Sequence, residues 1–311
     1  QDYLVCLLRQ ISFKMLAEST LSSDIALPKP VENFRNYVDS DRQDIVLNHY
    51  RLMRTNQTLA FAERMLQKYS FDKPRQKMTI LEAFKKLENY VDSSDPDVSL
   101  PNLVHMLQTA EAIRKRGHPD WMQLVGLIHD MGKIMFLWGD DSIGQNGEPA
   151  YLPYVLQWAL GGDTWVAGCR IPDCTILPDF NQLNPDMQDE KLSTELGVYN
   201  PHCGLENVKF AYGHDEYMYH MMKANGCTVP AEGYAMIRYH SCYPWHTGGA
   251  YRSLMAEADH AMLPWVLEFN KFDLYTKDDS PVEDVDAWVA QVWPYYQGLV
   301  DKYFPTAQLD W

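Results

Sequence analysis

Several predicted helical segments carry histidine or aspartate among apolar residues. The densest is GLIHDMGKIM, residues 126–135, in which His129 and Asp130 interrupt an apolar run. Burying an ionised carboxylate without a partner is strongly unfavourable, and it forces the group either to protonate or to pair with a cation. One metal cluster held between facing helices would resolve this conflict in all the segments at once. The candidate ligands are His105, His129, Asp130, His214, His240 and Asp273.

The chemical types of these residues indicate which metal they could hold. Imidazole and carboxylate ligands without thiolate suit iron, manganese, cobalt or zinc. The set is too large for one tetrahedral zinc, and it fits two six-coordinate ions bridged by a carboxylate. Adjacent residues on a helix point about 100° apart, so His129 and Asp130 would hold such a cluster from two sides, with Asp130 as the bridge. For each histidine alone, the commoner role is that of a hydrogen-bonded core residue.

Two lysines follow candidate ligands at helical spacing. Lys133 comes four residues after His129, and Lys277 comes four residues after Asp273. Residues at positions i and i+4 share a helix face, so each lysine is expected one turn beyond a ligand, where it could polarise a substrate oxygen. For Lys277, a solvated lysine in a last helical turn is a strong alternative.

The composition excludes several classes of protein. The 311 residues carry a formal net charge of −15, which argues against binding to nucleic acid or to an anionic membrane. We find no uninterrupted apolar run long enough for a transmembrane helix. The six cysteines are scattered without a C-x-x-C pair, which is not the pattern of a disulfide framework or a cysteine zinc site. We therefore predict a cytoplasmic protein.

The apolar periodicity predicts an all-α protein with long irregular loops. An irregular region is expected from Gly139 to about His202, and residues 1–30 are expected to be a loosely ordered segment before a single domain at 31–311. The histidines expected to be exposed are His49, His118 and His260. The predicted helices cover residues 42–69, 78–91, 103–114, 121–137, 205–222, 230–242, 263–276 and 286–303.

Longer stretches of the chain resemble a known family. The order His…His-Asp…Asp resembles the HD-domain superfamily, most of whose members are metal-dependent phosphohydrolases. Over roughly residues 31–311 the chain resembles the myo-inositol oxygenases, which are divergent members of that superfamily. The stretches that carry this resemblance are FRNY (34–37), SDPDVSLPN (94–102), GLIHDMGK (126–133), YGHDEYMY (212–219), YPWHTG (243–248) and MLPWVLEFNKFDLYTK (262–277).

The resemblance implies an HD-domain-like helical bundle with a non-haem Fe(II)/Fe(III) pair. It implies that O2 cleaves the ring of myo-inositol to give D-glucuronate and water, the first step of inositol catabolism. The six candidate ligands match the family's iron ligands, with Asp130 bridging, whereas Asp215 is expected to be a supporting or capping carboxylate. Lys133 matches a catalytic residue that helps to lower the pKa of a substrate hydroxyl. The implied substrate contacts are Arg35, Asp92, Lys133, Gly162, Asp163, His240, Ser241 and Lys277.

The chain departs from the family pattern in two internal places. The segment at about 140–160 is longer than in the animal enzymes, and Ser93 stands where those enzymes have glutamate. Neither change touches a predicted ligand. The alternative function is an HD-type phosphohydrolase that uses the metals to activate water, and a third possibility is a scaffold with a structural metal. The expected partners of the oxygenase are myo-inositol and O2, and we predict a monomer.

Overall fold

The computed structural model describes residues 28–30, 34–97, 99–148, 152, 156–278, 280 and 282–311. Helices dominate these residues, and the strands among them are two-residue segments that form two antiparallel ribbons. The prediction of an all-α, HD-domain-like bundle is therefore confirmed. The predicted loose segment at 1–30 lies outside the described residues except for 28–30. The strands are β1 (Lys77–Met78), β2 (Val166–Ala167), β3 (Lys209–Phe210) and β4 (Leu309–Asp310), paired β1 with β4 and β2 with β3.

The helix predicted over 42–69 is divided in two, α1 (Gln43–Asn56) and α2 (Leu59–Lys68). Thr58 lies between them in an extended conformation, and its hydroxyl accepts a hydrogen bond from the backbone N–H of Phe61 at 3.1 Å. A threonine in this position satisfies a free N–H group at the start of a helix. It therefore favours a new helix over the continuation of the old one.

The other helices lie mostly where the periodicity predicts them. The helix predicted over 205–222 begins only at His214, because β3 occupies part of that range, and the helix predicted over 78–91 ends at Lys86. No helix in the described part of the chain is both long and apolar enough to cross a membrane. The remaining α-helices are α3 (Ile80–Lys86), α4 (Asn102–Lys115), α5 (Asp120–Ile128), α6 (His214–Ala224), α7 (Ala231–Tyr239), α8 (Tyr243–His246), α9 (Glu257–Tyr275) and α10 (Val285–Tyr303).

The prediction of one helix over 121–137 is wrong, and the break lies at the candidate site. The α-helix ends at Ile128, and residues Met131–Leu137 form a tighter 3-10 helix. The side chain of His129 explains the change, because its Nδ1 lies 2.8 Å from the Gly126 carbonyl oxygen. In a continuing α-helix that carbonyl would accept from the backbone N–H of Asp130.

The described residues between Gly139 and His202 are irregular, as predicted, and among them only short 3-10 turns and β2 are regular. A buried ion pair ties it to α1, since Arg54 Nη2 lies 3.0 Å from Asp163 Oδ1. Arg54 also donates to the side-chain oxygen of Asn181 at 2.9 Å. These contacts fix a long loop against a helix, so that it can form one wall of a site.

A second buried ion pair joins α6 to α7, the helices that carry His214 and His240. Arg238 donates to both carboxylate oxygens of Glu216, at 2.8 and 2.9 Å, and both side chains are buried. Burial alone would raise the pKa of Glu216, but Arg238 outweighs it and lowers this pKa to about 2. The pair holds the two helices in the relative position that brings both histidines to the same place.

We predict that Glu216→Gln lowers the free energy of unfolding by about 3 kcal/mol at neutral pH, because it leaves the Arg238 charge buried without its partner. A carboxyl group whose pKa is depressed by folding stabilises the fold above its unfolded pKa, and this stabilisation is lost as the pH falls towards the folded pKa of about 2. The wild type should therefore lose stability below about pH 4.5. The variant should lack the part of this loss that comes from protonation of Glu216. Denaturant titrations at several pH values measure both effects.

Glu63→Gln is the matched control, because Glu63 forms an exposed pair with Lys209 at 2.9 Å. Its substitution should change stability little. An acid-induced loss of stability in Glu216→Gln equal to that of the wild type would contradict the assignment.

Candidate metal centre and cavity

The six predicted ligands converge on one buried place. His105 comes from α4, His129 and Asp130 follow the end of α5, and all six residues are at most 7% exposed. Their ligand atoms form three overlapping groups in which all atoms lie within 4.8 Å of one another. The groups are His105, His129 and Asp130; His129, His240 and Asp273; and Asp130, His214 and His240.

Asp130 lies between two pairs of histidines. Its Oδ2 is 3.7 Å from the Nε2 atoms of both His105 and His129, whereas its Oδ1 is 3.1 Å from His214 Nε2 and 3.9 Å from His240 Nε2. Asp273 Oδ1 lies nearer to the first pair, 3.0 Å from His105 Nε2 and 3.3 Å from His129 Nε2. This is the arrangement of a carboxylate that offers one oxygen to each of two cations.

The backbone determines which imidazole nitrogens face the cluster. The Nδ1 atoms of His129, His214 and His240 each lie within hydrogen-bond distance of a backbone carbonyl, which can only accept. Each Nδ1 therefore carries a proton, and the Nε2 lone pair of the neutral ring points inward. The Nε2 atoms of His214 and His240 are 3.1 Å apart, so a proton or a metal ion is needed between them. The carbonyls belong to Gly126, Leu160 and Ile237, at 2.8, 2.7 and 3.0 Å respectively.

The surrounding charges favour a cation at this place. Burial alone would lower the pKa of His214, but Asp215 and Asp130 outweigh it and raise this pKa to about 10. The pKa of Asp130 is held well below its usual range, because Lys133 and His129 outweigh the effect of burial. A metal ion takes the place of such protons when it binds. The imidazole and carboxylate donors fit iron, so the residues present suit the metal that the sequence predicts.

Asp215 lies at the outer edge of the cluster. Its Oδ1 is 2.7 Å from His214 Nε2 and 3.5 Å from His240 Nε2, and it accepts a hydrogen bond from the Ser241 hydroxyl at 3.2 Å. It belongs to none of the three groups of candidate ligands. Its expected supporting role stays a prediction.

Lys133 reaches the centre by a route that the sequence argument did not anticipate. Because the segment is a 3-10 helix, its Nζ contacts Asp130 Oδ2, three residues back, at 2.7 Å. Nζ also lies 2.7 Å from Asp92 Oδ2 and 3.0 Å from Asn102 Oδ1. Burial would lower the pKa of Lys133, but Asp130 and Asp92 outweigh it and raise this pKa. The lysine is therefore a fixed cation between two carboxylates.

A polar cavity opens on this centre and contains most of the predicted substrate contacts. Lys277 lies two residues beyond the end of α9, yet it is mostly buried, and its Nζ contacts Asp95 Oδ2 at 2.7 Å. The alternative of a solvated lysine is wrong for this residue. The predicted contacts that line the cavity are Arg35, Asp92, Lys133, Gly162, His240, Ser241 and Lys277.

Asp163 is the exception among the predicted substrate contacts. Its side chain is fully buried outside the cavity lining, paired with Arg54 and accepting from the backbone N–H of Ile176 at 3.0 Å. A direct contact between this carboxylate and a substrate is therefore not what the structure shows. The charge of Arg54, more than 100 positions away in the sequence, draws the carboxylate inward.

Sequence reasoning missed several residues of the cavity wall. The ring of Tyr243 lies 4.1 Å from the guanidinium carbon of Arg35, and Asp95 holds Lys277. Tyr243 and Asp95 belong to the stretches YPWHTG and SDPDVSLPN, which carry the family resemblance, but no local pattern indicated their role. Arg35 itself has a φ of 57°, which is unusual for a residue other than glycine.

A helical bundle that buries four histidines and two aspartates beside a polar cavity is a metal-dependent enzyme of the HD-domain type. The family model for myo-inositol oxygenase matches residues 43–311. The inositol oxygenase of Mus musculus is 52% identical over 293 residues, which cover 93% of this chain and 94% of that protein. Those of Homo sapiens and Dictyostelium discoideum are 49% and 42% identical, and each alignment covers more than 90% of both chains. The chain belongs to the myo-inositol oxygenase family and is an oxygenase.

Gly132 allows the centre to form, and we predict that Gly132→Ala disrupts it. A Cβ at Gly132 would lie 2.1 Å from the backbone carbonyl oxygen of His214. The variant must displace His214, so we expect a loss of about 1–3 kcal/mol of stability and a lower metal content. Gly298→Ala is the control, because a Cβ there meets nothing within 4 Å. Thermal unfolding and metal analysis test this, and a fully metallated, equally stable Gly132→Ala would contradict it.

Proposed function

We propose that this oxygenase cleaves the ring of myo-inositol with O2, giving D-glucuronate and water, at an Fe(II)/Fe(III) centre. This would be the first step of inositol catabolism. The observation that carries the proposal is the position of Asp130, with one carboxylate oxygen facing each pair of histidines. The names of the relatives support the choice of substrate. No comparison favours the phosphohydrolase alternative.

The two sides of Asp130 define the proposed ligand sets. His105, His129 and Asp273 would hold one iron, and His214 and His240 would hold the other, with Asp130 shared. When bound, the iron pair would supply Lewis acidity and would pass electrons from the inositol, which is oxidised, to O2, which is reduced. The cluster lies at the floor of the cavity, so a substrate in the cavity reaches it directly.

The cavity wall suits a ring of six hydroxyl groups, because it offers hydrogen-bonding groups of both kinds. Asp92 and Asp95 present carboxylate oxygens that accept, whereas Arg35, Lys133 and Lys277 donate. Each lysine is already held by a carboxylate, so its position is set before the substrate arrives. Such preorganised charges select one orientation of the bound ring.

Lys133 is proposed as the catalytic residue of the wall. Its ammonium group is buried between Asp92 and Asp130 and stays charged. A substrate hydroxyl placed against it would receive a hydrogen bond that strengthens as the hydroxyl loses its proton. In a site from which water is excluded, this interaction lowers the pKa of the hydroxyl.

We also propose residues 31–311 as one domain of a monomer that acts in the cytoplasm. A buried thiol at Cys169 and at Cys242, rather than a disulfide, supports a reducing compartment. The monomeric state rests on the sequence interpretation alone.

The purified enzyme is predicted to contain about two iron ions per chain and to consume O2 only when myo-inositol is added. The product should be D-glucuronate. Metal analysis, an oxygen electrode and product analysis test this. Zinc or manganese with phosphatase activity, and no inositol-dependent O2 uptake, would support the phosphohydrolase instead.

His129→Ala should abolish both iron binding and activity, because it removes a fully buried ligand whose tautomer is fixed by Gly126. His260→Ala is the control, since His260 is exposed on α9. Iron and activity that both survive His129→Ala would show that the ligand assignment is wrong.

Lys133→Met should retain iron but lower kcat by roughly 100-fold or more, as expected when a group that assists proton removal is lost. Lys209→Met is the control, because Lys209 is half exposed and pairs with Glu63 at the surface. A kcat within twofold of the wild type at full iron content would exclude the catalytic role.

A further inference from the structure

His49 lies in α1 and was expected to be exposed, but the structure buries it to 3% exposure. Both of its ring nitrogens have partners. Nδ1 lies 2.6 Å from the hydroxyl oxygen of Ser93, and Nε2 lies 3.2 Å from the carbonyl oxygen of Gly161. One imidazole therefore joins two segments that are 68 residues apart in the sequence.

The two partners determine the tautomer of His49. A carbonyl oxygen can only accept, so Nε2 donates to Gly161, and Nδ1 then accepts from the Ser93 hydroxyl. Burial lowers the pKa of His49 to about 4, so the ring is neutral near pH 7. One neutral ring therefore makes both hydrogen bonds, and a change of its tautomer would break both.

The segments that His49 joins are the ones that carry two proposed substrate contacts. Ser93 directly follows Asp92, and Gly161 directly precedes Gly162. The segments also touch each other, since a Cβ at Gly161 would lie 2.6 Å from Asp92 Oδ2, and a Cβ at Gly162 would lie 3.0 Å from His49 Nε2. A shift of the imidazole would therefore move both sides of the cavity wall.

His49 and Ser93 border an unfilled space, so packing does not enclose this part of the wall completely. A second cavity, of about 190 Å³, lies against His49 and Ser93 on the side of Leu52 and Trp158. Gln157 closes the arrangement, because its side-chain oxygen accepts from the backbone N–H of Ser93 at 3.0 Å. Gln157 lies in the 140–160 segment, so both places where the chain departs from its family pattern border the same cavity as His49.

We propose that His49 is a positioning residue that sets the separation between Asp92 and Gly162, and so determines which pattern of inositol hydroxyls the cavity accepts. The proposal rests on the proposed function, since it assumes that these two residues contact an inositol. His49 lines the second cavity but not the first, so it acts through its neighbours.

The test compares His49→Asn, His49→Gln and Ser93→Ala, each loaded with iron and kept free of oxygen. Binding of myo-inositol and of scyllo-inositol is measured by calorimetry. The amide of asparagine takes the place of Nδ1 and loses the contact with Gly161, whereas that of glutamine takes the place of Nε2 and keeps it. We expect His49→Asn to weaken myo-inositol binding about fivefold or more, as for one lost buried hydrogen bond, with a smaller loss in His49→Gln.

The discrimination between the two isomers should fall in parallel, while iron content stays at the wild-type level. His220→Asn is the control, because His220 lies at the surface beside Glu216. Ser93→Ala deletes only a hydroxyl and tests the proposal even where a His49 variant fails to fold. Wild-type affinity and isomer ratio in iron-loaded Ser93→Ala and His49→Asn would overturn the proposal. A wild type that binds neither isomer would overturn the proposed function instead.

Discussion

The structure depends on the requirement for positive charge around the carboxylate of Asp130. Four imidazole nitrogens and the oxygens of two carboxylates face one another at 3.0 to 3.9 Å in a buried place. Without a cation these lone pairs would repel, and burial would intensify the repulsion. The segments that supply them can therefore meet stably only around a positive charge.

Helix boundaries position three of the candidate ligands, and helix carbonyls fix the tautomers of two of them. His129 and His240 directly follow the last residues of α5 and α7, and His214 is the first residue of α6. The last carbonyls of a helix have no partner within the helix, so they remain available to a side chain. The free carbonyls of Gly126 and Ile237 accept hydrogen bonds from the Nδ1 atoms of His129 and His240 respectively. The same hydrogen bond therefore involves the end of the helix and orients the histidine that follows it.

The sequence predicted the helical class and the six converging residues, because a polar side chain inside an apolar period is a conflict visible locally. It did not predict the end of α5 at Ile128, because that boundary depends on a side-chain hydrogen bond and on the backbone of His214 lying against Gly132. The inward position of Asp163 likewise depends on the distant Arg54. Lys133 was selected by an i, i+4 argument that the 3-10 geometry invalidates. It still lies at the centre, because the tighter turn brings it to Asp130 instead.

The cavity wall and the candidate metal centre share one cation, Lys133. Lys133 lies 2.7 Å from a carboxylate oxygen of Asp92 in the wall and 2.7 Å from one of Asp130 in the centre. A hydroxyl group that binds to Asp92 competes with Lys133 for that carboxylate, and the lysine then interacts more strongly with Asp130 or with the substrate. Metal ions held by Asp130 would act in the opposite direction, because they would weaken its attraction for the lysine. If metal ions and substrate bind as proposed, occupation of the centre would leave Lys133 more available to the substrate, and this would link the two sites physically.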